Sequence, residues 1–362
     1  MGQPSVITRL RPLAVYLLLL LSGCGGSGGS APAPAAPPPD PWAAVKAATD
    51  RSPVTNMRVV IGDATGVLLD YEKGSFATSE RHLIASATKW LSALVIYRLI
   101  EQGVMAPQDA PQDYLIYWAN DPSDSRSRIT LERLLAFTSG FNNSPSQPGC
   151  VGNGAQTLQA CVQTIYTGGL DTEPGVAFAY GPEHLHIAAA MAEVASGMLF
   201  SELFDQSIRA GLSVSTNTRI VLPSVQNPRA SGGGESTVDD SVTILLALLN
   251  NTALADTTAF YTDNTAAPVT FTFRPGSTST GVDWHYAQGA WRVCEQMAWD
   301  ASCENKMILS SPGAFGWTPW IDVTNGYFGL IAMEESIITS PSQTAVELLI
   351  ELLPLAEAQI TP

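Results

Sequence analysis

The order of local patterns along the chain is the strongest constraint on its fold. Strand-like runs stand at 57–61 and 66–71, with Gly62-Asp63 as turn residues between them. Such runs return only near the other end, at 289–293, 317–323 and 327–333. Helical patterns fill the interval and both flanks: a short amphipathic stretch at 42–49, then 86–102, 185–195 and 242–249, and a last one at about 342–356. Strands at both ends with helices between predict a single antiparallel sheet assembled from both halves of the chain, with a helical lobe inserted. This is an α+β arrangement without internal repeats. The stretch at 86–102 carries Trp90, Leu91, Leu94, Val95, Tyr97, Leu99 and Ile100 around most of its circumference and stops at Gly103. A helix apolar nearly all round is a buried one.

The first forty residues stand apart. Arg9 and Arg11 precede an apolar run at 13–21, followed by Leu21-Ser22-Gly23-Cys24. A basic start, a short apolar stretch and small residues describe a secretory leader; the run is too short to span a bilayer, which takes roughly 20 residues. The final four residues resemble a bacterial lipobox. They imply cleavage after residue 23, acylation of Cys24 and residence in the cell envelope through that membrane anchor. Residues 24–41 read as the anchor and an extended Gly/Ser/Pro tether, and 42–362 as the folded domain. Gly25-Gly26-Ser27-Gly28-Gly29 matches G-x-S-x-G, but no strand precedes it and no helix follows, so Ser27 belongs to the tether.

Five cysteines make an odd count. With Cys24 set aside, Cys150 lies close to Cys161 and Cys294 close to Cys303. In an exported chain these read as two local disulfides, although four cysteines allow three pairings. Zinc ligation finds no C-x-x-C spacing or neighbouring His to support it. The formal charge is −15, and loss of the leader removes two Arg and no acid. That balance excludes a nucleic-acid binder, which needs clustered Lys and Arg along phosphates. It names no partner.

Of four lysines, only Lys89 has Ser three residues before it, in Ser86-Ala87-Thr88-Lys89. Near the start of a helix this spacing puts both side chains on one face, with Ser86 close to unpaired backbone N–H groups. A lysine in apolar surroundings loses its charge more readily and can then act as a base. Alone the spacing is a weak signal.

Its context is not weak. The chain resembles the serine β-lactamase and penicillin-binding-protein superfamily over most of residues 45–355, specifically the class C-like branch that includes family VIII-type carboxylesterases and D-stereospecific peptidases. The resemblance rests on Ser86-Ala87-Thr88-Lys89; on Leu134-Leu135-Ala136-Phe137-Thr138-Ser139-Gly140-Phe141, similar to the family's LLxHTSG; on Pro174-Gly175-Val176-Ala177-Phe178-Ala179-Tyr180, which leads into the second motif; and on the loop at 227–237. It implies a β-lactamase/transpeptidase-like fold, Ser86 as nucleophile, Lys89 as general base, Tyr180 as proton relay, and an oxyanion hole from the backbone N–H groups of Ser86 and Ala314.

Two departures narrow the activity. Gly181-Pro182 follows Tyr180 where the family's Tyr-x-Asn has its Asn, which holds a substrate amide. Ser311-Pro312-Gly313 falls where the family has Lys-Thr-Gly or His-Thr-Gly on a sheet-edge strand, so the cation facing a β-lactam carboxylate is lost while the Gly remains. Ser311 and Gly313 are therefore candidate substrate contacts, and His184 a candidate replacement for the missing Asn. His184 and His186, two apart on a helix, point to different faces and do not suit a shared metal. Trp284, His285, Trp317 and Trp320 suit either an acyl pocket or sheet packing. The expectation is a monomeric serine hydrolase that forms an acyl-enzyme on a small-molecule or peptide ester or amide, with carboxylesterase activity ahead of β-lactamase or D-alanyl-D-alanine carboxypeptidase and D-amino-acid amidase activity. No metal or organic cofactor is implied. The rival of another class is an inactive envelope-binding module, against which the joint presence of Ser86, Lys89 and Tyr180 argues.

Overall fold

The computed structural model describes residues 39–141, 148–274, 282–334 and 340–360. The expected leader, Cys24 and residues 25–38 of the tether lie outside them. Strands β1 (Met57–Asp63) and β2 (Gly66–Lys73) form a hairpin, and a bulge follows Ile61. The turn is Ala64-Thr65, so Gly62-Asp63 belong to β1 rather than to the connection. Gly62 is needed inside the strand because a Cβ there would lie 2.5 Å from the Phe328 ring. A glycine in a strand thus marks a close approach, not a turn.

The other strands of this sheet come from the C-terminal part: β3 (His285–Tyr286), β4 (Trp291–Val293), β5 (Ile308–Ser310), β6 (Thr318–Asp322) and β7 (Tyr327–Ala332). The order is β3-β4-β5-β6-β7-β1-β2, with every pair antiparallel. The join between the chain's two ends is β1 against β7, with Val59 opposite Ile331 and Ile61 opposite Gly329. β3 and β5 carry no expectation from the sequence, since two or three residues are too few to show a period.

β6 and β7 are buried along their whole length, so helices cover both faces. Helix α4 (Val238–Leu249) packs on β1, β6 and β7; helix α5 (Pro341–Ile360) packs on β6 and β7 and against α1 (Ala43–Arg51). Thr237 caps α4 by accepting from the Asp240 N–H at 3.0 Å, with Asp239 and Asp240 in the first turn where the helix dipole favours them. The inserted lobe is organised around α2 (Thr88–Glu101) and α3 (Glu183–Ser196), which pack together. α2 is buried on nearly every side, as its composition requires, and a short 3₁₀ turn, Ala85–Ala87, leads into it. Disulfides join Cys150 to Cys161 and Cys294 to Cys303, the two local pairs the spacing favours.

Candidate active site

Ser86 lies in the 3₁₀ turn at the entrance to α2, directly after Ala85, whose φ of +44° is left-handed. A residue with a Cβ held there costs on the order of 1–2 kcal/mol, so the surrounding contacts must enforce it. Those contacts are visible. Thr88 donates its hydroxyl to the Ala85 carbonyl at 2.5 Å and accepts from the Gly234 N–H at 3.0 Å. The Ile84 N–H donates to the Gly234 carbonyl at 3.1 Å. Gly234 must be glycine, because a Cβ would lie 2.6 Å from the Thr88 Oγ1.

One turn on, Lys89 is only 4% exposed. Its Nζ lies 3.0 Å from the Ser86 Oγ and donates to the Ser231 carbonyl at 2.6 Å. No carboxylate lies within ion-pair distance of it among the described residues. Burial, with the nearby Arg229 charge adding to it, takes this amine from the ordinary 10.5 down to about 7. At neutral pH a substantial share of the lysine is therefore unprotonated, with its lone pair available to the serine proton.

Tyr180 comes from the segment that follows the short strand Ala177–Ala179, and its N–H donates to the Phe273 carbonyl at 3.1 Å. The ring stacks on Trp291 at 5.4 Å between centroids and tilts against Phe137 at 5.6 Å. Lys89 Nζ sits 4.5 Å from the ring centroid, and the phenol is hydrogen-bonded to Ser86. Burial holds the phenol well above its ordinary value, and the Ser86 hydrogen bond offsets only part of this. Tyr180 is thus a neutral hydrogen-bonding group, while Lys89 is the one with a lone pair available at neutral pH. The sequence spacing brings Ser86 and Lys89 together; the fold adds Tyr180 to them.

The 311–313 segment also arrives here. It follows β5, which is interior to the sheet rather than at its edge, and it lies just past the strand end rather than on it. The Ser311 hydroxyl donates to the Ser86 carbonyl at 2.9 Å, and a Cβ on Gly313 would lie 2.3 Å from the Ile84 carbonyl oxygen. Ser311 is buried, with its hydroxyl committed to the backbone of the turn that carries Ser86. Ala314 follows in an exposed turn, and its N–H meets no backbone carbonyl among the described residues.

His184 corrects the expectation of a substrate contact. It is 0% exposed, and both ring nitrogens are occupied. Nε2 donates to the Ala179 carbonyl at 2.9 Å, which leaves Nδ1 to accept from the Ser139 hydroxyl at 2.8 Å. The ring stacks on Phe137 at 4.8 Å, and burial lowers its basicity to about 4. His184 therefore ties the Thr138-Ser139 stretch to the strand that delivers Tyr180, and it cannot replace a missing amide. His186 is likewise buried, with Nδ1 3.1 Å from the Pro182 carbonyl oxygen. Trp317 and Trp320 are sheet packing; Trp284 donates to the Cys294 carbonyl at 3.3 Å, and His285 stacks on Trp299 at 3.9 Å.

The loop at 227–237 proves to be the roof of the site. Lys89 donates to Ser231, Ser92 donates to the Ala230 carbonyl at 2.7 Å, and Gly234 meets Thr88. Its role as acceptor for the lysine is invisible in sequence because a backbone carbonyl does the work.

A family model described as Beta-lactamase matches residues 53–334. A search of curated proteins finds no match. Among solved structures, the chain is similar to a candidate beta-lactamase from Bacteroides dorei DSM 17855, at 23% identity and a TM-score of 0.70, covering 86% of this chain and 96% of that one. It is similar to EstCE1, a hydrolase with promiscuous acyltransferase activity, at 14% identity and a TM-score of 0.66, with 89% and 97% covered. It is also similar to a LovD9 mutant of simvastatin synthase from Aspergillus terreus, at 16% identity and a TM-score of 0.64, with 89% and 100% covered. At these identities the likeness is one of fold.

Proposed function

The chain belongs to the Beta-lactamase family, and from that premise we propose that it is a serine hydrolase that favours carboxylic esters and works through a covalent acyl-enzyme. The observation that carries this reading is the Lys89 amine, buried without a carboxylate and 3.0 Å from the Ser86 hydroxyl. Neutral Lys89 accepts the Ser86 proton as Oγ adds to the substrate carbonyl. The oxyanion is met by the N–H groups of Ser86 and Ala314. Collapse breaks the bond to the leaving alcohol, which takes a proton returned from the Lys89 ammonium by way of the Tyr180 hydroxyl. Water then adds to the acyl-serine with the same base, and the carboxylic acid departs from regenerated Ser86.

Esters come ahead of β-lactams because Ser311 stands where a cation would meet the β-lactam carboxylate, and its hydroxyl is already engaged by the Ser86 carbonyl. A fluorophosphonate is the direct probe: labelling at pH 8 that disappears in Ser86→Ala supports the hydrolase, and no labelling of folded protein refutes it in favour of a binding module. Parallel assays with a p-nitrophenyl ester, a chromogenic cephalosporin and a D-Ala-D-Ala peptide then rank the substrates. Faster turnover of the cephalosporin than of the ester overturns the preference for esters. We also infer that the chain is exported and held to the membrane by acylated Cys24, and that it acts as a monomer; palmitate labelling lost in Cys24→Ser and light scattering of the protein lacking residues 1–24 test these two points.

A further inference from the structure

Among the described residues, Arg229 is a cation without a counter-ion, and its charge is felt by Lys89. No carboxylate lies within ion-pair distance of its guanidinium among the described residues, and its Nε is buried with no hydrogen-bond partner. A guanidinium with no carboxylate in reach is a charge that nothing described on the chain balances, and an anion arriving from outside can balance it.

The location is specific. The stem of Arg229 runs beside Gly232, where an added Cβ would lie 3.6 Å from the Arg229 Cδ and 3.8 Å from the Ala85 backbone carbon. The stem and the residue preceding the nucleophile therefore border the same gap. The tip reaches the disulfide loop: a Cβ on Gly152 would lie 3.4 Å from an Arg229 terminal nitrogen. That loop is held in place by Asn227, whose side-chain amide donates to the Cys150 and Asn153 carbonyls at 2.9 and 3.0 Å. Glycine at 152 places no side chain against the terminal nitrogen, and glycine at 232 none against the stem. The neighbouring Ser231 carbonyl receives Lys89, so Arg229 stands one residue pair from the groups that hold the base.

We propose that Arg229 is the anion-recognition residue of this cleft, and that the substrates are esters or amides carrying a free carboxylate a few bonds from the scissile carbonyl. A guanidinium suits this, because it meets a carboxylate with two parallel N–H donors. The roof loop is a different element from the third motif, so the assignment adds an anion site and leaves the position at Ser311 without a cation. It rests on the reading of the Ser86 pocket as a hydrolase site.

The test is a binding measurement on protein that cannot turn over. Ser86→Ala protein is titrated by calorimetry with adipate monoethyl ester and with diethyl adipate, which differ in one carboxylate. The monoester is expected to bind about tenfold or more tightly than the diester, the usual worth of one charge-assisted pair. Adding Arg229→Met removes that preference, and Arg229→Lys keeps part of it; Arg229→Gln serves if the Met variant does not fold. Equal binding of the two esters, no binding of the monoester, or a preference that survives loss of the guanidinium overturns the proposal. Fluorophosphonate labelling of the unmutated protein is read separately, so failure of the hydrolase reading is distinct from failure of the arginine's role.

Discussion

Replacing Lys89 by Met is expected to abolish activity and stabilise the protein at neutral pH, and the size of the gain follows from the lysine's surroundings. Folding moves this amine from the ordinary 10.5 to about 7 because it is buried without a carboxylate. At about 1.4 kcal/mol per pH decade, holding it in the fold at pH 7 costs on the order of 4 kcal/mol relative to strongly alkaline pH. The sign is that of a cation whose folded pKa is depressed. The unfolded chain binds the proton more tightly, so the penalty is complete below pH 7, shrinks as pH rises, and is gone above 10.5. Met fills a similar volume without charge, but it leaves the Ser231 carbonyl without its 2.6 Å donor. An orphaned buried acceptor returns about 1–3 kcal/mol of destabilisation. The net expectation is a gain of roughly 1–3 kcal/mol at pH 7 that vanishes or reverses near pH 10. Urea unfolding followed by tryptophan fluorescence at both pH values measures it, alongside fluorophosphonate labelling, which should be lost. A Met variant less stable than the parent by the same margin at pH 7 and pH 10 would refute the premise that this lysine is desolvated and uncompensated.

The same shift sets the pH–rate profile: kcat/KM for a neutral ester should rise with pH to a plateau, with a midpoint at about 7 where Lys89 loses its proton. A flat profile from pH 5 to 9 would remove Lys89 as the base. Gly313→Ala places a methyl 2.3 Å from the Ile84 carbonyl oxygen, a backbone atom that cannot swing away, so the segment bearing Ala314 must separate from the nucleophile's turn. An activity loss of about 100-fold or more is expected, the scale of losing one oxyanion donor, with folding retained by circular dichroism. Ser139→Ala leaves the buried Nδ1 of His184 without its 2.8 Å donor and should lower stability by about 1–3 kcal/mol in urea, more than a truncation at an exposed serine. Peptide mapping without reductant should recover Cys150 joined to Cys161 and Cys294 joined to Cys303.

The division between what is local and what is not runs through single residues. Helix α2 was readable because its apolar residues surround it and Gly103, at φ +70°, ends it. The hairpin of β1 and β2 was readable in its strands but not in its turn, since Gly62 answers to Phe328, more than 250 positions away. β3 and β5 are too short to carry a pattern and are strands only because β4 and β6 lie beside them. His184 shows the converse. Its place just after Tyr180 suggested a cleft residue, whereas the packing of Phe137 and the hydroxyl of Ser139 take it into the interior.

The sequence by itself set Ser86 and Lys89 close together, because residues three apart in a helical turn share one face. Strand patterns at the two ends with helices between also pointed to one antiparallel sheet built around an inserted lobe. The depressed basicity of Lys89 was a matter for the tertiary structure alone. Desolvation is the sum of everything packed around an atom, and here that includes the roof loop more than 140 residues along the chain. So was the absence of a carboxylate partner for Arg229 among the described residues, because whether a charge has a partner depends on what the fold brings near it and on what it keeps away.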